Sequence, residues 1–159
     1  MGSDIGIIAP YAAQVSLLTR TLQTNKKYLK QAEDLLGPLR AMQLANIEVK
    51  TVDGFEGREK DVIIFSTVRN NAAGHIGFLA DRRRMNVGLT RAKRALFVIG
   101  NAGTLKTVRV GATVNGGPKE HAERDVWVRY LDWLALNGAV KMLRGSTLEK
   151  MLFPWKNRV

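Results

Sequence analysis

At 159 residues, 45% of them hydrophobic, the chain is long enough for one domain with a real core and too short for two of ordinary size. Twenty-five Lys and Arg against 14 Asp and Glu leave a net charge of +11, which favours polyanionic partners, nucleic acid first and anionic membrane second; a merely basic surface is the plainer alternative. With no cysteine and two isolated histidines, a disulfide frame and a thiolate metal site are excluded and a zinc site is disfavoured.

No apolar run approaches the ~18 residues of a membrane span, and the start lacks the apolar core of a signal peptide. The opening Met1-Gly2-Ser3 suits a cloning scar. Ile5–Ala9 (I-G-I-I-A) is a short apolar run closed by Pro10 and predicts a buried strand. Pro10 then serves as the first residue of a helix, where its missing N–H costs nothing. Tyr11, Val15, Leu18 and Leu22 repeat along one face of that helix. Residues 26–44 are charged, are broken by Gly37-Pro38, and predict a surface helix plus a connection. Ile47, Val49, Thr51 and Val52 predict the next strand. Residues 62–68 (V-I-I-F-S-T-V) predict one covered on both faces.

Residues 70–77 predict a loop, residues 82–92 a helix with Met85, Leu89 and Ala92 on one face, and residues 95–99 (A-L-F-V-I) another buried strand. Residues 110–119 hold three glycines and a proline and predict a mobile loop. Trp127, Tyr130, Leu131, Leu134 and Ala135 form an apolar helical stripe, stopped by Asn137-Gly138 as a left-handed cap. Trp127, Tyr130 and Trp133 have rings that stack on bases, but packing of this helix on the sheet is the stronger reading. His75 and His121 have no ligand or triad partner at useful spacing. The alternation predicts a three-layer α/β domain with a mostly parallel sheet flanked by helices. Ligands of such sheets gather beyond the carboxyl ends of the strands, and two charged blocks are expected there.

The first block is T-V-D-G-F-E-G-R-E-K-D, from Thr51 to Asp61. Gly54 and Gly57 allow a tight turn whose N–H groups can approach an anion, and Glu59 is an acceptor suited to sugar hydroxyls. A plain turn is the default reading of such a segment. The second block, R-R-R-M-N-V-G-L-T-R-A-K-R, runs from Arg82 to Arg94 and is dense in positive charge. For Arg82 and Lys93 a solvated basic helix is the simpler account.

Taken together the blocks resemble the last two ATPase motifs of superfamily-1 RNA/DNA helicases, in the branch containing senataxin and the nonsense-mediated-decay helicase. Val52–Ser66 is similar to V-D-x-F-Q-G-x-E-x-D followed by an apolar strand, with Glu56 in place of the usual glutamine. L-T-R-A, ending at Ala92, is similar to the last motif, with Gly88 where alanine is frequent. I-G-I-I-A-P-Y-A-A-Q, ending at Gln14, matches I-x-I-[IL]-[ST]-P-Y-x-x-Q, with Ala9 in place of the hydroxyl residue. S-T-V-R, ending at Arg69, and the run from Gly77 to Asn86 complete a match over residues 5–101, with a looser likeness in a helical tail over 120–159.

The resemblance implies the second RecA-like domain of a helicase across residues 1–159. It implies that Glu59 contacts the nucleotide ribose, that the Gly57 N–H lies near the phosphates, and that Arg91 reaches the ATP γ-phosphate as an arginine finger, the catalytic residue of this half. Arginine suits that task because its planar fork can hold two phosphoryl oxygens. For nucleic acid it implies Pro10, Tyr11, Thr51, Val52, Ser66, Arg69 and Asn86, with Arg84 near the same interface. For Tyr11, packing on the core is an equal alternative. The chain contains no G-x-x-x-x-G-K-[ST] phosphate loop and no magnesium motif of the D-E-A-[AS] kind. ATP and Mg2+ are therefore expected only in the complete helicase, with a first RecA-like domain and single-stranded RNA or DNA as partners and no membrane. The expected direction is 5′ to 3′ and the expected location nuclear or cytoplasmic. The alternative is a non-catalytic nucleic-acid or protein-interaction module that keeps the fold. A membrane-surface protein would need one basic amphipathic face.

Overall fold

The computed structural model describes residues 1–107, 118–143 and 145, with the backbone alone for 118–125. Four strands, β1 (Ile5–Ala9), β2 (Glu48–Thr51), β3 (Lys60–Ser66) and β4 (Ala92–Ile99), form one sheet in the order β2-β1-β3-β4, and every pairing is parallel. Helices α1 (Ala12–Thr24), α2 (Lys26–Leu36), α3 (Pro38–Met42), α4 (Arg82–Leu89), α5 (Ala102–Lys106) and α6 (Pro118–Leu136) flank it. The expected α/β architecture is the observed one, and the fold is RecA-like. No helix among the described residues is long and apolar enough to cross a membrane.

Each face of the sheet has its own apolar cluster. Ile7, Leu22 and Val49 meet Val15, Leu18 and Ile64 on the α1 side. On the other side Ile8, Ile63 and Phe65 meet Val52, Phe55, Leu79, Met85, Trp127 and Leu131. Trp127 is fully buried, contacts Phe65 and Tyr130, and donates its indole N–H to the Leu79 carbonyl at 2.8 Å. The last helix is thus part of the core, as its apolar stripe predicts, although Trp133 and Ala135 face outward. Gly138 follows it at φ +65°, the left-handed stop. Residues 110–117 of the expected loop, the His121 side chain and the tail over 146–159 lie outside the described residues.

Several local expectations give way to the structure. Pro10 is not in α1: Tyr11 is the extended N-cap residue (φ −125°), and its carbonyl accepts from Gln14 and Val15 at 3.1 Å. Ala92 has helical spacing from Leu89 but begins β4, because Thr90 leaves the helical region and Lys60 N–H pairs with Arg91 O at 3.1 Å. The strand over 95–99 is not buried on both faces. Among the described residues it is the edge of the sheet, and Phe97, paired with Ile64, and Ile99, paired with Ser66, are more than half exposed. At the start of the chain a 3-10 turn (Gly2–Asp4) buries Gly2, and the Ser3 carbonyl accepts from Lys60 Nζ at 2.7 Å, while Met1 and Ser3 are exposed.

Gly88 has a packing reason. A Cβ there would lie 2.3 Å from the Phe65 ring, so α4 reaches the sheet only because this position is bare. We expect Gly88→Ala to lower stability by about 1–3 kcal/mol through overpacking. Phe65→Leu in the same chain should return part of that loss, a coupling readable from a double-mutant cycle of urea unfolding. Additive losses would show that the ring and the glycine do not meet.

Candidate functional site

The register of the sheet divides the expected site residues between its two edges. Thr51 pairs with Ala9 at the carboxyl end of β2, whereas Val62 pairs with Ile5 at the start of β3. Residues 52–59 therefore run the length of the sheet back to its amino edge, pinned on the way by buried Phe55. The first charged block opens at one edge and closes at the other, about 20 Å away along a strand of this length. The expectation that both blocks gather at the carboxyl ends is corrected accordingly.

At the amino edge, Glu59 and Arg91 precede adjacent parallel strands. The Lys60–Arg91 backbone hydrogen bond joins the two motifs directly. Glu59 is exposed and makes no ion pair among the described residues. Gly57 turns at φ +72° with open space where a Cβ would stand, so glycine serves conformation there and not clearance. Arg91 is half-buried and docked on the end of α4. Its Nε donates to the Val87 carbonyl at 3.1 Å and its Nη2 to Thr90 Oγ1 at 3.0 Å. The carboxyl end of a helix favours a cation. Two of the five guanidinium N–H donors are used in this way, and the others have no partner among the described residues. The guanidinium is thus held in place on α4. Along the same edge, Glu48 at the start of β2 pairs with Arg58 at 2.7 Å and Lys60 at 3.2 Å.

At the carboxyl edge lies an open groove of about 740 Å³, lined by Tyr11, Gln14, Leu17 and the segment from Val68 to Asn71, with His75 at its rim. Arg69 donates from Nε to the Tyr11 hydroxyl at 2.6 Å, and its guanidinium carbon stands 4.9 Å from that ring's centre. Tyr11 is half-buried, enters neither core cluster, and has Phe78 at 6.2 Å. Arg84 stacks on the far side of this row, 3.7 Å from the Phe78 ring centre, and pairs with Asp53 at 3.2 Å and Asp81 at 3.7 Å. It ties α4 to its neighbours. Ser66 and Thr51 are half-buried strand ends, and Thr51 Oγ1 accepts from the Gly54 N–H at 3.1 Å. Asn86 is exposed on α4. Pro10 is buried and Val52 is a core residue, 2% exposed, so neither offers a side chain to a ligand.

The AAA domain family matches residues 1–103. The DNA polymerase alpha-associated DNA helicase A of Saccharomyces cerevisiae is 41% identical over 128 residues, 80% of this chain and 16% of that protein. Helicase sen1 of Schizosaccharomyces pombe is 45% identical over 103 residues, 65% of this chain and 5% of that protein. The chain belongs to this superfamily-1 helicase family. The regulator of nonsense transcripts 1 homolog of Neurospora crassa, 44% identical over 99 residues (62% of this chain and 8% of that protein), agrees with the senataxin and nonsense-mediated-decay branch. The helicase domain described here spans at most 16% of the length of these relatives. Two of its features escape motif reading. The Arg84–Phe78 stack and the docking of Arg91 on α4 both depend on where α4 lies.

Proposed function

We propose that this chain is the second RecA-like motor domain of an ATP-dependent 5′-to-3′ RNA/DNA helicase. The observation that carries the reading is the placing of Glu59 and Arg91 before adjacent strands, tied by the Lys60–Arg91 backbone hydrogen bond, at one edge of a sheet whose other edge holds the Tyr11–Arg69 groove. Nucleotide chemistry and strand contact then occupy opposite edges of one sheet.

The amino-edge residues fit a nucleotide. Glu59, an exposed carboxylate with no cation paired to it among the described residues, would accept from the ribose hydroxyls. The turn at Gly57 would bring backbone N–H groups to phosphate oxygens. Arg91, held by α4 but with donors to spare, would meet the developing charge when a first motor domain closes on this edge. ATP supplies the phosphoryl group whose transfer to water drives the cycle. Mg2+ is assigned to the first motor domain, because this chain has neither the phosphate loop nor the D-E-A-[AS]-like motif that would hold it. Tyr11, Arg69, Ser66 and Asn86 are assigned to the strand. Arg69 makes no ion pair among the described residues and would meet its backbone.

The direct test joins this chain to a first motor domain carrying the phosphate loop. The joined protein should hydrolyse ATP faster with single-stranded RNA or DNA, whereas the chain alone should not hydrolyse it. A joined protein that binds nucleic acid but shows no stimulated hydrolysis would favour the non-catalytic module. We also expect the chain alone to bind single strands weakly and with little sequence preference, because its net charge of +11 addresses phosphates more than bases. Affinity should fall steeply between low and physiological salt; a flat response would count against backbone binding.

A further inference from the structure

β3 ends in a strained turn. Val68 stands at φ +63°, a conformation that a β-branched residue adopts only where its surroundings force it. The Arg69 N–H closes onto the Thr67 carbonyl at 2.6 Å, which makes Val68 the centre of a γ-turn. Thr67 is fully buried, and its hydroxyl has no hydrogen-bond partner among the described residues. Such strain collects where a fold must hold particular groups in place. The groups that follow this turn are Arg69 and Asn70, both lining the groove.

Asn70 is oriented by a relay from α5. The Thr104 N–H donates to Asn101 Oδ1 at 3.1 Å, which fixes the Asn101 amide so that its Nδ2 donates to Asn70 Oδ1 at 2.7 Å. The oxygen of Asn70 is thereby engaged, and its Nδ2 has no partner among the described residues. The next residue is pinned as well, since Thr104 Oγ1 accepts from the Asn71 N–H at 2.9 Å and donates to the Asn71 carbonyl at 3.0 Å. The outcome is an exposed amide that presents donors beside the Arg69 guanidinium, which makes no ion pair among the described residues.

We propose that Asn70, held amide-outward by Asn101, is a second strand-binding residue beside Arg69 and donates to a phosphodiester oxygen of the nucleic acid in this groove. This rests on the groove being the nucleic-acid track. A neutral amide adds grip and register without adding charge. It also gives Asn101 a role as a positioning residue that never touches the strand.

The test is fluorescence anisotropy of the full chain with labelled oligo(dT) and oligo(rU) across a salt series. Asn70→Ala should weaken both oligomers about fivefold, the scale of one hydrogen bond, with the salt slope unchanged because no counterion release is lost. Asn101→Ser keeps a residue able to cap α5 but removes the orienting amide. It should lose most of the same factor while the unfolding temperature barely moves. Arg69→Ala tests the groove itself and should weaken both oligomers while lowering the salt slope by about one. If Arg69→Ala changes neither quantity, the groove is not the track and the underlying reading falls. If Arg69→Ala weakens binding and Asn70→Ala does not, the Asn70 assignment is wrong. A loss confined to oligo(rU) would place the amide on the 2′-hydroxyl and overturn the phosphate contact. Unchanged binding by a folded Asn101→Ser chain would remove the relay.

Discussion

In the two-domain protein, Arg91→Ala cuts ATP turnover by on the order of a thousandfold, the scale of an arginine finger. Arg91→Lys fails too, because an ammonium point charge cannot reproduce a planar two-point contact. It also cannot donate at once to the Val87 carbonyl, the Thr90 hydroxyl and a phosphate in the arginine's geometry. Losing the contacts to the end of α4 should cost the fold only about 0.5–1 kcal/mol, so the effect is catalytic and not structural. Steady-state ATPase beside an unfolding curve separates the two. A tenfold loss or less in a folded protein would mean that Arg91 does not meet the transferring phosphoryl group.

The largest expected loss of stability is elsewhere. Trp127→Ala should cost about 3–5 kcal/mol, a large share of the total for a domain of this size. It empties a fully buried site against Phe65 and leaves the Leu79 carbonyl without its indole donor. Trp127→Phe should cost less, keeping most of the ring's contacts while losing that hydrogen bond. Urea unfolding measures both. A loss under about 1 kcal/mol for the alanine variant would show that α6 is peripheral to the core, contrary to its burial.

Much of this was legible in the chain. The apolar runs read at residues 5–9, 62–68 and 95–99 fall on the strands Ile5–Ala9, Lys60–Ser66 and Ala92–Ile99, because β-branched and aromatic side chains suit a covered parallel sheet, although Thr67 and Val68 lie beyond the strand end. The stripe through Trp127 and Leu131 is a helix face because its spacing matches the helical repeat. Strand order was not legible: nothing within A-L-F-V-I says that β4 is an edge, since edge and centre differ in neighbours and not in their own residues. The split of the site was hidden for a related reason. One motif contains both the end of β2 and the start of β3, and only the register shows that its ends lie at opposite edges. Val68 reads as one more strand residue, because β-branched side chains are common in strands and the turn is imposed from outside. The Asn101–Asn70 contact joins positions 31 residues apart and has no sequence signature. The glycine at 88 was visible, but its reason, the Phe65 ring, was not.

The two-edge arrangement makes one measurement decisive: nucleotide-free affinity for single-stranded RNA and saturating ATPase, both read for Arg91→Ala and for Arg69→Ala in the two-domain protein. Arg91→Ala should abolish turnover while leaving strand affinity within about twofold, because its edge does not meet the strand. Arg69→Ala should weaken strand affinity several-fold, and with RNA at saturation should retain most of the turnover. Arg91→Ala with near-normal turnover, or with strand affinity lost as severely as in Arg69→Ala, would contradict the assignment of ATP and nucleic acid to opposite edges of this sheet.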